Sequence, residues 1–431
     1  MWAEYPAKVP SLGPFAIPPL DRNGRLVLAG KAVRAFGFGL GSVVLGLYLV
    51  ELGLGPAAVG AVLSAALIGT TLLTLVIAIF GDRIGRRRIL AIGGGLMLLA
   101  LVIPVVGADP LFLILIALTG MVAVTSNESS GLQSLDQAIL PQTTDDRHRT
   151  AAFATYGVTA ALATAVGALA VGPLTALGTA MGLAGAARFW PAFAGYALAG
   201  AAMVVVARAM DRGAESPTPP PVEGAATVAR RRFGVHKSRH AVVRLSILFG
   251  LDALGGGLVV QSFLAIWFTE VLGLSVAAVG VLFFAGNLLT AASYPVAAWL
   301  AGRIGLIRTM VFTHIPASLL LVAMTLVPWV GVAAVLYLAR AFVSSMDVPT
   351  RQSYTMAIVD PDERTATAGL TSVVRSVAQS GGPLLAAALV SLPLGLSAPL
   401  IACAGLKITY DVALYFGFRR HPAPEEVRPT A

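Results

Sequence analysis

FGDRIGRRRIL, residues 80–90, sets one acid and four arginines between two apolar runs, 59–80 and 89–106. The chain of 431 residues is 57% hydrophobic and only 12% charged, with a mean hydropathy of +0.83. A soluble chain has about a quarter of its residues charged. Half that charge, with apolar runs long enough to span a bilayer recurring throughout, describes a polytopic membrane protein. The runs are continuously apolar and do not alternate, which points to helices and not a barrel. The net charge of +9 does not point to nucleic acid, because the basic residues sit in short gaps between apolar runs. That distribution fixes topology.

Apolar runs bounded by charge, glycine or proline predict twelve spanning helices, at 26–50, 57–79, 88–106, 111–139, 149–173, 188–209, 242–270, 276–300, 308–327, 330–358, 365–391 and 398–418. Alternate gaps carry DRIGRRR, DDRHR, the segment 210–240, GRIGLIR and DPDER, and the tail carries Arg419 and Arg420. The other gaps, such as ELGLGP, GADP and LPLGLSAP, carry almost no positive charge, with Arg188 the exception. The basic loops and both termini are therefore expected in the cytoplasm, with the protein multi-pass in the inner (plasma) membrane. The organisation expected is a tail at 1–25, a six-helix bundle at 26–209, a linker at 210–241, a second bundle at 242–418 and a tail at 419–431. The proline-rich start has no central apolar stretch and reads as a cytoplasmic tail, not a cleaved signal. The linker, rich in proline, small residues and arginine, is expected exposed and mostly disordered. A single cysteine, Cys403, allows no intramolecular disulfide.

The two halves are copies. LGLGPAAVGAVL at 52–63 recurs as LGLSVAAVGVLF at 272–283. Asp82-Arg83-Ile84-Gly85 recurs as Gly302-Arg303-Ile304-Gly305, Glu128 and Gln133 as Asp347 and Gln352, and RTAA from Arg149 as RTAT from Arg364. Six helices repeated in parallel are the mark of a transporter built from two rocking halves.

GDRIGRRR resembles the loop motif between the second and third helices of the major facilitator superfamily. DVPTRQSYTMAIVDPDERTATAGL resembles the junction of the tenth and eleventh helices in its bacterial members. The resemblance extends over nearly the whole chain. It implies an all-α fold of twelve transmembrane helices in two six-helix bundles, with the first, fourth, seventh and tenth helices lining a central cavity. It also implies that Gly81, Asp82, Arg83, Gly85, Arg86 and Arg87 form a latch between the halves when the cavity opens outward. The second copy has Gly302 in place of the acid, so its latch is degenerate. Drug/proton antiporters of the superfamily carry a glycine-rich signature ending in Gly-Pro on the fifth helix. Here that helix has Gly157, Gly167, Gly172 and Pro173 at a different spacing, and Gly381-Gly382-Pro383 lies on the eleventh.

An ionised side chain at mid-bilayer costs at least ~2.5–3.5 kcal/mol, so each one needs a structural or functional reason. On the tenth helix Arg340, Ser344, Asp347, Arg351 and Tyr354 share one face, and Asp347 has Arg351 one turn on. Asp411 has Lys407 one turn back. Glu128 and Asp252 have no basic residue three or four positions away and are the proton-coupling candidates. Lys31 and Arg34 are cations awaiting an acid, Glu128 or Asp252, or an anionic group of the substrate. With Arg340, Asp347, Arg351, Arg375, Gln261 and Asn287 they are the substrate-cavity candidates, and Tyr156 is a weaker one.

An enzyme is not expected. GRLVLAGK from Gly24 has one residue too many for a phosphate loop and Ala32 where a hydroxyl should follow. Four histidines lie in loops or tails and His314 stands alone on a helix, so neither a metal nor another cofactor is expected. The reading is a secondary active transporter, most simply a proton-coupled exporter of a small amphipathic or anionic molecule. Its alternatives are an uptake symporter for a small anionic metabolite and a non-transporting receptor or scaffold on the same fold. The partners expected are a small-molecule substrate, protons and the lipid bilayer, with the chain a monomer and no nucleic acid bound.

Overall fold

The computed structural model describes residues 19–125, 131–145, 148–215, 238–359 and 363–419, apart from a few side chains within them, that of Asp82 included. Among these residues the apolar runs are helical and no strand occurs. Eleven stretches are long and apolar enough to cross a membrane. The first half holds Arg22–Glu51, Pro56–Ile84, Arg86–Met97 continued to Val106, Arg149–Ala180 and Trp190–Ala209 as its first, second, third, fifth and sixth spans. The second half holds Val276–Ile304, Leu306–Leu326, Arg364–Val390 and Ala398–Phe418 as its eighth, ninth, eleventh and twelfth.

The fourth, seventh and tenth spans, expected as continuous helices, are each two helices. The fourth is Pro110–Ala117 and Gly131–Ile139, with turns and bends at 118–125. The seventh is Arg239–Leu258 and Gln261–Glu270. Gly255, Gly256 and Gly257 weaken the helix just before that break, and Val260 is extended at φ −64°, ψ 157°. The tenth is Val330–Ser344 and Asp347–Ala357. Its cause is Pro349, which has no N–H to return to Ser345 and whose ring crowds that carbonyl. Non-helical backbone at membrane depth must be packed in protein or line a cavity. The seventh span obeys this rule. The Ser262 N–H, freed by the break, donates to the Val124 carbonyl of the irregular fourth span at 3.3 Å, and its hydroxyl donates to Ser42 O at 2.7 Å.

The repeat is visible in the backbone. Gly85 and Gly305 close the second and eighth spans with φ 99° and 90°, a region that costs any L-residue strain. Each returns its N–H to the carbonyl four residues back, Gly81 at 3.1 Å and Ala301 at 2.9 Å. Both loops therefore make the same turn from the same Arg-Ile-Gly sequence.

The halves meet toward the charge-poor ends of their helices. The Leu384 N–H donates to Ser64 Oγ at 3.2 Å, joining the second and eleventh spans. The fifth and eighth approach so closely that a Cβ on Gly280 would stand 2.7 Å from the Ala168 carbonyl oxygen. At the basic end, the hydrogen bonds among described residues stay within one half. Arg86 N–H donates to Glu215 Oε2 at 2.7 Å, and Ser238 N–H to Glu363 Oε2 at 3.0 Å. Part of the expected disordered linker is thus ordered. Arg212–Ala214 form a short turn, Asp211 exchanges hydrogen bonds with Asn23, and residues 239–241 belong to the seventh span. Residues 216–237 of the linker lie outside the described residues.

Candidate functional site

Charged side chains from five spans of the second half converge at mid-depth. Asp252, on the first part of the seventh span, is 3% exposed. Lys407 Nζ of the twelfth span donates to its Oδ1 at 2.7 Å. Its Oδ2 accepts from Arg375 of the eleventh at 2.9 Å and from Arg351 of the tenth at 3.2 Å. The same Arg351 nitrogen reaches Asp347 at 2.6 Å, and its guanidinium lies over the Phe249 ring at 5.6 Å. Charges this deep are tolerated only when paired and hydrogen-bonded, and these are.

His314 of the ninth span completes the cluster. Its Nδ1 is 3.1 Å from both oxygens of Asp411, and its Nε2 is 3.2 Å from Lys407 Nζ. An ammonium can only donate, so Nε2 must be the accepting nitrogen and Nδ1 carries the hydrogen given to Asp411. His314 Nε2 also stands 3.7 Å from Asp252 Oδ1, so three carboxyl groups (Asp252, Asp347, Asp411) gather around Arg351, Arg375, Lys407 and His314.

Several expectations are corrected by this geometry. Asp252, without a partner on its own helix, has three cations and a histidine around it from others. Lys407 turns away from Asp411 to Asp252, and Asp411 takes His314, which does not stand alone. The pairing of Asp347 with Arg351 is as the spacing predicts. Arg340 forms no ion pair among the described residues and faces a cavity beside His314, Ser344 and Lys407. Tyr354, placed on the same face by spacing, is instead fully buried and packs edge-on against Phe418.

The first half holds a second buried group. Arg34 is ion-paired with Asp136, both at most 1% exposed, and Tyr156 donates to Asp136 at 2.9 Å. Lys31 Nζ sits 5.1 Å above the Tyr156 ring. Among the described residues the acid facing Arg34 is thus Asp136, which sequence reasoning missed, and not Asp252. Glu128 lies outside the described residues. Gln261 opens the second part of the seventh span and Asn287 lies on the eighth. Their side-chain amide nitrogens are buried without a hydrogen bond among the described residues, apart from both clusters. Of the latch residues, Arg83 is exposed and Arg86 buried. Arg87 donates to the Arg208 carbonyl at 3.5 Å, so the described contacts of Gly85, Arg86 and Arg87 are with the sixth span and the linker's start. No group of three or more metal-ligating side chains occurs among the described residues.

Comparison with known proteins agrees with the architecture. The family model described as Major Facilitator Superfamily matches residues 27–383 and 245–431. An uncharacterized membrane protein of Saccharomyces cerevisiae is 22% identical over 389 residues, 84% of this chain and 87% of that protein. Among solved structures, an auto-inhibited POT family peptide transporter superposes with TM-score 0.72 at 13% identity, covering 95% of this chain and 99% of that one. The nucleoside transporter NupG, as its D323A mutant, superposes with TM-score 0.70 at 13% identity, covering 92% and 100%. At such identities the likeness shows the fold alone. The chain belongs to the major facilitator superfamily.

Proposed function

We propose that this member of the major facilitator superfamily is a secondary active transporter that exports a small amphipathic or anionic molecule in exchange for protons. The observation that carries the reading is Asp252, a buried carboxylate nearly two turns before a helix break, whose partners come from four other spans. Any relative movement of those spans changes its electrostatic surroundings. A carboxylate whose cationic partners come and go exchanges a proton with the movement. Glu128, the repeat counterpart of Asp347, is the second coupling residue. The mixture of buried cations and apolar wall suits an anionic or amphipathic cargo better than a neutral sugar. The export direction is taken from the likeness of Gly381-Gly382-Pro383, on the eleventh span, to the Gly-Pro-ending signature that drug/proton antiporters carry on the fifth.

In the plasma membrane with its basic loops cytoplasmic, the contact of the halves at the charge-poor end corresponds to a cavity open inward. The latch at Gly81 to Arg87 then engages in the opposite state. The test is flux in proteoliposomes, using a cargo found by thermal-shift screening of organic anions. Asp252→Asn and Glu128→Gln should lose pH-driven accumulation while retaining substrate exchange. If both variants accumulate cargo normally under a pH gradient, the coupling assignment is wrong.

A further inference from the structure

We infer that the cavity between the halves at their charge-poor end is a binding site for an amphipathic organic amine. It measures about 270 Å³, with walls from the first and second spans of one half and the seventh and eleventh of the other. Neither buried ionic cluster contributes to its wall. Its ligand carries the charge opposite to that of an anionic cargo. The inference therefore goes beyond the transport reading.

Size and wall give the body of the ligand. A single water needs about 10–15 Å³, so the space is that of an organic molecule. Val59, Leu63, Phe263, Ile266 and Val390 line it with hydrocarbon. Walls of this kind enclose the apolar bodies of small ligands, and a few polar groups then set orientation and specificity.

Charge gives the head group. Glu270, the last residue of the seventh span, is the charged residue of the wall. The charge-poor end carries Glu51, Asp109 and Glu270 as acids and Arg188 as base. Arg188 is taken by Glu51 at 3.1 Å, and Asp109 accepts from the Leu111 N–H at 2.9 Å. Glu270 is exposed and has no hydrogen bond or ion pair among the described residues. A carboxylate left over beside an apolar wall attracts a cation with a hydrocarbon body and repels an organic anion. One carboxylate does not replace the water shell of a metal ion, which takes several oxygen ligands. An ammonium group on an apolar chain meets both features, its head at Glu270 and its body in the cavity.

The test is equilibrium binding to the purified full-length protein in uncharged detergent. It needs no proton gradient and no cargo, so failure of the transport reading leaves it unaffected. The probes are 4-phenylbutylamine, 4-phenylbutanol and 4-phenylbutyrate, which share a body and differ in charge, compared by calorimetry at constant ionic strength. Water screens an exposed carboxylate, so the amine should bind about three- to five-fold tighter than the alcohol, and the carboxylate weakest. Glu270→Gln should bring the amine to the level of the alcohol and leave the alcohol unchanged. Val390→Trp, which fills the cavity, should weaken amine and alcohol alike. Should Val390→Trp fold poorly, Glu270→Gln decides the matter, since it alters an exposed side chain in the same detergent. Binding of the carboxylate as tight as that of the amine overturns the proposal. So does an amine preference that survives in Glu270→Gln, which would place the amine elsewhere.

Discussion

Lys407 Nζ lies 2.7 Å from an oxygen of Asp252 on another helix, although Asp411 stands one turn away on its own. A pair one turn apart on a helix surface is worth only ~0.2–0.5 kcal/mol. A buried contact between helices, where little water competes, is worth more. The bundle therefore spends its lysine across the helix interface and gives Asp411 to His314.

Asp252 and Lys407 should consequently respond unequally to neutralisation. Asp252→Asn leaves three cations around one amide, and removing one side of a buried ionic contact costs ~3–5 kcal/mol. Lys407→Met leaves Asp252 two guanidinium donors and removes one charged hydrogen bond, about 1.5–3 kcal/mol. Reversible unfolding of both variants in mixed micelles measures the difference. Equal losses would show that Asp252 is not the hub of the cluster.

The spans were legible because hydropathy alone dictates them, and the repeated Arg-Ile-Gly turn was legible because glycine there has one physical reason. Partners were not. Spacing along one helix shows only what stands three and four residues from Asp252 and says nothing about neighbouring helices. Asp136, flanked by Leu132, Gln133, Ile139 and Leu140, carries the same signal as Glu128. That signal does not name it as the acid of Arg34. The breaks had signals too, Gly255 to Gly257 in the seventh span and Pro349 in the tenth. Continuous hydropathy masked both.

Asp211 offers a test by pH. It lies past the sixth span, where the Asn23 amide (2.6 Å) and the Gly213 N–H (2.8 Å) donate to it. The Asn23 bond first, then that of Gly213, holds its carboxyl below the usual carboxylate range. A group with a lowered folded pKa contributes fully above its unfolded value, about 3.9, and loses that contribution as pH falls through the folded value. Thermal unfolding of the parent and of Asp211→Asn should therefore differ by a constant amount above about pH 5. The gap should narrow as pH falls below about 3.9. A gap that stays constant as pH falls well below that value, while the protein remains folded, would mean that the carboxylate charge does not hold the linker's start to the first span.

Closure at the charge-poor end depends on helices that touch through backbone, and this can be disturbed by one methyl-sized step. Any side chain at Gly280 puts a Cβ 2.7 Å from the Ala168 carbonyl oxygen, closer than real contacts allow, and backbone cannot swing aside as a side chain could. Gly280→Val should thus raise the energy of the closed arrangement without touching the interior of either half. A penalty of only ~3 kcal/mol shifts a two-state population by about a hundred-fold. The readout is a cysteine placed at Phe263, which is 7% exposed on the wall of an apolar cavity of about 270 Å³ at that end. With buried Cys403 replaced by serine, an impermeant thiol reagent added opposite the basic loops should label this cysteine several-fold faster in Gly280→Val than in the parent. Gly302→Val, where no atom lies within 4 Å of the new Cβ, is the control and should leave labelling unchanged. If Gly280→Val folds and labels no faster, the fifth and eighth spans do not govern closure. If labelling occurs only from the side of the basic loops, Phe263 opens toward those loops and the closed end is misassigned.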